Sequence, residues 1–164
     1  MTAHITLLAV LAPAGPTSTG VPPNMVVPAL YRPIVAEMIR YSPTFRRQCG
    51  RLARASDLRV DLTPSLLSGL PSGDALTRIV RRPDGLIEAG VQIGPIGDPA
   101  LLIAHEFEHI LEQLDGVDLP SMAMRAATGV RVVRGSGHFE TERAIAAGRR
   151  VAEEVNRGRT RSGL

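Results

Sequence analysis

The sequence predicts an α+β domain in which a short antiparallel sheet or hairpin packs on one long helix and on a second helix near the C-terminus. Three observations lead there. Alternating apolar positions recur between residues 58 and 93, interrupted by Pro83-Asp84-Gly85, as strands joined by a tight turn require. Apolar residues at helical spacing fill 98–114 and 139–156. A chain of 164 residues, 44% of them apolar, is long enough to bury one core. Residues 25–156 are therefore read as one domain, preceded by 1–24 and followed by a basic tail at 157–164.

The N-terminal stretch joins an apolar run, Ile5 to Leu11, to Ala12-Pro13-Ala14, which resembles a small-residue cleavage site. A linker rich in Pro, Gly, Ser and Thr continues to residue 24. This pattern reads as a signal peptide and linker, and implies a secreted or periplasmic protein. No basic residue precedes the run, so a first strand or a tail in a cytoplasmic protein is the alternative. Neither this run nor any later segment is long enough to span a membrane.

A helix is expected over 32–41, with Pro33 in its first turn. A second begins at Ser42-Pro43, Ser as cap and Pro at the first helical position. Its Phe45, Cys49, Leu52 and Ala53 share a face, leaving most of its arginines to solvent. Leu58, Val60 and Leu62 alternate as a half-buried strand, and 76–82 and 86–93 form the hairpin arms. Asp98-Pro99 opens the long helix, which stops at Asp115-Gly116. Residues 117–137 read as irregular, with a short helix near 122–127. The last helix follows the Gly135-Ser136-Gly137 loop.

All 19 basic residues are Arg, and the net charge is only +3. With 3% aromatics, these positions lack the base-stacking residues of a nucleic-acid surface, so no nucleic-acid partner is expected. Cys49 is the single cysteine, which excludes an internal disulfide and suits a small buried hydrophobe.

The chemistry concentrates in His105-Glu106-Phe107-Glu108-His109. Imidazoles four residues apart on a helix project from one face, one turn apart, a spacing that suits two nitrogen ligands of one Zn²⁺. Glu106, beside the first of them, can take a proton from a zinc-bound water. With 4 His and 9 Glu in the chain, H-E-x-x-H arises by accident in about half a percent of such compositions. The flanking Leu101-Leu102-Ile103-Ala104 and Ile110-Leu111 would bury the motif, and buried charge needs something to organise it.

A third ligand is required. Candidates cluster in His138-Phe139-Glu140-Thr141-Glu142. If 139–156 is one helix, Glu140 shares the apolar face of Ala144, Ala147, Val151 and Val155. Glu142 shares a polar stripe with Arg149 and Glu153. Glu140 is the expected ligand and Glu142 the fallback. A carboxylate in a helix's first turn is also ordinary dipole chemistry.

These residues resemble the gluzincin group of zincin metallopeptidases over about residues 75–156. The resemblance implies a small zincin-like domain and a zinc metalloendopeptidase acting on a peptide or protein substrate. It also implies that an edge strand before the active-site helix, here Leu86 to Ile93, pairs with extended substrate. His105, His109 and Glu140 would hold zinc, with Glu106 as general base. His138, and next Arg143, are candidates to stabilise the oxyanion. Asp115 or Asp118 is a candidate to orient an imidazole. Glu108, usually uncharged in the group, must turn from the metal or find an arginine. A catalytically inactive relative with a structural zinc or a peptide-binding role is the alternative, and an Arg-rich binding module with incidental histidines is a third.

Overall fold

The structure is a computed structural model that describes residues 20–65, 75–133 and 138–163. The apolar run at 5–11, the cleavage-like tripeptide, His4 and the Gly135-Ser136-Gly137 loop lie outside the described residues. The fold is mixed α+β. In chain order it runs β1 (Met25–Val26), a 3₁₀ turn (Ala29–Tyr31), α1 (Arg32–Tyr41), α2 (Pro43–Arg54), β2 (Leu58–Pro64), β3 (Ala75–Arg81) and β4 (Ile87–Ile93). There follow α3 (Pro99–Leu114), α4 (Leu119–Ala123), β5 (Val130–Val132), β6 (Phe139–Thr141) and α5 (Glu142–Arg161). None of the described helices is long and apolar enough to cross a membrane.

The main sheet has the order β1-β2-β4-β3. The hairpin forms as its turn residues dictate. Gly85 takes a positive φ of 91° and the Leu86 amide donates to Asp84 Oδ1 at 3.1 Å. β3 and β4 pair antiparallel from Ala75↔Ile93 to Arg81↔Ile87. The rest of the sheet corrects the antiparallel expectation. β2 runs parallel to β4, and β1 parallel to β2. The alternation in β2 and β4 reveals which face is buried but carries no information on which distant strand lies alongside. A second correction follows for the substrate-facing edge. β4 is flanked by β2 and β3, so β3 is the edge strand beside the long helix.

α3 is the centre of the packing. Asp98 caps it, accepting from the Ala100 amide at 2.9 Å, and nine of its residues are buried. It packs on β3 and β4 on one side and on α2 and α5 on others. Phe107 stacks on Phe45 of α2 at 5.6 Å between ring centroids, with Ile103, Ile110 and Leu111 fully buried around them. Cys49 is also fully buried, and burial pushes its thiol up to about 12, so it packs as a protonated hydrophobe. Gly148 lets α5 approach α3 closely, since a Cβ there would lie 2.8 Å from the Leu101 carbonyl oxygen.

α5 departs from its predicted bounds at both ends. It begins at Glu142 because Thr141 is its cap, accepting from the Ala144 amide at 3.0 Å. Residues 139–141 are strand, paired with β5. At the other end the expected frayed tail is helical to Arg161. Arg159 donates to Glu37, and Gly158 lies against the Tyr41 ring. Asn24, placed in the linker by composition, is likewise tied down, its amide donating to the Leu52 and Leu58 carbonyls at 2.9 and 3.0 Å.

Glu154 of α5 docks on the start of α2. It accepts from Ser42 Oγ at 2.5 Å, the Thr44 amide at 3.1 Å and Thr44 Oγ1 at 2.9 Å. Burial alone would raise its carboxyl, but these hydrogen bonds hold it below the ordinary glutamate range. A folded value below the unfolded one means the stabilisation is complete above the ordinary value and is lost as pH falls through the depressed one. Glu154→Gln is therefore expected to lower the unfolding free energy by about 1–2 kcal/mol at neutral pH. The difference from wild type should shrink as acid protonates Glu154. Urea titrations over a descending pH series check both statements.

Candidate metal centre and cleft

One turn of α3 separates His105 from His109, and both rings point to the same cleft. Their Nε2 atoms lie 3.2 Å apart. Glu140, from β6, brings Oε1 to 3.2 Å from His105 Nε2 and 3.8 Å from His109 Nε2. Zinc bonds of about 2.0–2.1 Å at tetrahedral angles require donor atoms about 3.3 Å apart, so the spacing of this trio suits one small cation. These three form the metal-capable group among the described residues.

Glu140 thus meets the two histidines for a reason the sequence reading had wrong. It is not on the last helix, and its face there is irrelevant. The β5–β6 ribbon delivers it, and the Thr141 amide holds its Oε1 at 2.9 Å. Glu142 sits against Gly129 instead, outside the trio.

No family model, curated protein or solved structure matches this chain.

The field in the cleft favours a cation. Burial works against charge on His109, yet its hydrogen bond to Glu112 and the carboxylates of Glu106, Glu112 and Glu140 raise its proton affinity above the ordinary histidine value. Glu140 is shifted down: burial would raise it, but His105, the Thr141 amide and His109 outweigh that. Glu106 behaves oppositely. It is 5% exposed, and burial pushes its carboxyl up, with Thr77 and the imidazoles only partly opposing. Burial thus favours the protonated form of Glu106 relative to an exposed glutamate.

Glu112 is the residue that sequence reasoning missed. Its Oε2 accepts from His109 Nδ1 at 2.9 Å, and its Oε1 accepts from the Thr141 hydroxyl at 2.7 Å. The signal was present: a carboxylate three residues after the second histidine lies on nearly the same face of the helix. Asp115 and Asp118, the expected candidates, do other work. Six residues on from His109, Asp115 faces elsewhere and pairs with Arg51 and Arg143. Asp118 caps α4 through the Ser121 amide at 3.1 Å.

Glu108 turns away from the trio and finds an arginine. Arg143 Nε donates to its Oε1 at 2.7 Å, and Gln48 Nε2 donates to its Oε2 at 2.7 Å. That engagement, with a further hydrogen bond to Asp115, commits Arg143 to the fold, and it does not line the cleft where an oxyanion would form. His138 lines the cleft.

The cleft itself holds about 200 Å³. Leu76, Thr77 and Ile79 of edge strand β3 contribute to its lining, as do Gln113, Leu119, Val133 and Phe139. Thr77 Oγ1 reaches the Glu106 carbonyl at 3.5 Å, fastening the strand to the helix where Glu106 projects.

Proposed function

We propose that this protein is a zinc-dependent peptidase of zincin type, with His105, His109 and Glu140 holding the metal and Glu106 as general base. The observation that carries the reading is the convergence of two imidazole nitrogens and a carboxylate oxygen, 3.2–3.8 Å apart, beside a buried glutamate of raised proton affinity. Zinc bound there supplies a Lewis acid that acidifies water and polarises a carbonyl. Glu106 accepts the proton that the attacking water loses and passes it to the departing amine. Its burial keeps bulk water from competing for that proton. His138, in the same cleft, is assigned a hydrogen bond to the carbonyl oxygen as negative charge develops on it. The substrate is an extended peptide laid along β3, the last strand of the described sheet, with main-chain hydrogen bonds fixing its register. Leu76 and Ile79 on the strand, and Leu119, Val133 and Phe139 elsewhere in the lining, favour apolar side chains.

Elemental analysis paired with a peptide-library digest tests the proposal. Wild-type protein is expected to carry one equivalent of zinc and to cleave peptides. Glu140→Ala is expected to lose both the metal and the activity, because two histidines alone leave the site a ligand short. Zinc retained without cleavage would instead leave the inactive, peptide-binding alternative. Protein that takes up no zinc ends the metal reading altogether.

A further inference from the structure

We propose that Thr141 is a positioning residue that binds the third donor and the second imidazole into one unit, acting on His109 through Glu112. The inference rests on the metal-site reading above. Thr141 is 3% exposed and makes three contacts of different consequence. Its backbone N–H donates to Glu140 Oε1 at 2.9 Å, holding the very oxygen that faces the imidazoles. Its Oγ1 accepts from the Ala144 amide at 3.0 Å, starting α5. Its hydroxyl proton goes to Glu112 Oε1 at 2.7 Å.

Glu112 is 2% exposed, so its carboxylate depends on protein donors. Among the described residues two reach it: the Thr141 hydroxyl on one oxygen and His109 Nδ1–H on the other, at 2.9 Å. A carboxylate held in this way admits only the tautomer of neutral His109 that carries hydrogen on Nδ1. The Nε2 lone pair is then left facing His105 Nε2 and Glu140 Oε1, where a cation can take it. The hydroxyl at 141 thereby acts on a metal it does not touch. One residue also couples the two elements that make the site, since α3 brings the imidazoles and β6 brings the carboxylate.

The test is zinc affinity, measured on metal-free protein by competition with a chromophoric chelator. The variants are Thr141→Val, Thr141→Ser, Glu112→Gln and the double Thr141→Val/Glu112→Gln, with thermal unfolding of each metal-free protein alongside. Thr141→Val and Glu112→Gln are each expected to weaken zinc binding by about 10–100-fold. Thr141→Ser, which restores the hydroxyl, should stay near wild type. The double variant should bind no more weakly than the weaker single one, because both changes cut the same chain of hydrogen bonds.

A residue that only capped α5 would behave differently. Thr141→Val would then lower the unfolding temperature, leave zinc affinity unchanged, and show no coupling to Glu112→Gln. That result overturns the proposal. Should Thr141→Val fail to fold, Glu112→Gln keeps the cap intact, and unchanged zinc affinity in that variant overturns it equally. Wild-type protein that binds no zinc would remove the underlying metal reading. Tight binding by wild type and variants alike would remove only the role of Thr141.

Discussion

Glu106→Gln is expected to lower kcat/KM for peptide hydrolysis by about 10²–10⁴-fold, the usual contribution of a positioned general base, while zinc content stays at the wild-type level. The substitution keeps the shape of a side chain that is only 5% exposed, and removes a charge that burial penalises. Folding should therefore be as stable as wild type or more so, as is common where a group is kept for chemistry at some cost to the fold. Three measurements on one purified variant decide the matter: turnover of the best library peptide, zinc stoichiometry and thermal unfolding. Hydrolysis that persists at wild-type rate would dismiss Glu106 as the base. Loss of zinc together with activity would point to a structural collapse of the cleft instead.

The second large effect is expected at Gly148 of α5, which has no functional group of its own but lies against Leu101 and His105 of α3. Two terms compete there. Any side chain should favour the helical state of α5, by up to about 1 kcal/mol for alanine. Against that, a Cβ would sit 2.8 Å from the Leu101 carbonyl oxygen and 3.2 Å from His105 Cβ. The first of these neighbours is helix backbone and cannot swing aside, so α3 and α5 must separate. Gly148→Val should accordingly lower the unfolding free energy by about 2–3 kcal/mol, as overpacking does. Because the displaced neighbour includes His105, zinc affinity should fall as well. Urea denaturation and the chelator competition measure the two effects. A Gly148→Val protein as stable as wild type, with unaltered zinc binding, would show that the close approach of the two helices is not needed.

Much of the local structure was legible because local physics decides it. Ser42-Pro43 and Asp98-Pro99 start helices where caps with proline in the first turn start them. Pro83-Asp84-Gly85 turns the chain where a glycine can take positive φ. What failed was decided by partners distant in sequence. The parallel pairing of β2 with β4 skips β3, so no neighbouring turn announces it. The start of α5 was misplaced because Phe139 and Glu140 fit a helical pattern until β5 claims them as a strand. Thr141, a residue type that commonly caps helices, sets the boundary with its hydroxyl. At the site, the histidine pair needed only helical spacing, whereas Glu140 was named from an incorrect helical phase and meets the imidazoles through a ribbon. Glu112 carries no mark in the sequence beyond its three-residue spacing from His109, and its role is fixed by hydrogen bonds to His109 and to Thr141, 29 residues away.

The two wildcard positions of the H-E-x-x-H signature are not wild in this chain. Phe107 is a keystone of the interior, seated on Phe45, and Glu108 is a junction where side chains of α2 and α5 meet on α3. A single five-residue stretch thus serves two masters, its first, second and fifth members facing the cleft while its third and fourth hold three helices together. Tolerance to change along the signature is consequently set by two unrelated demands. Substitutions at 105, 106 and 109 should register in chemistry, and those at 107 and 108 in folding.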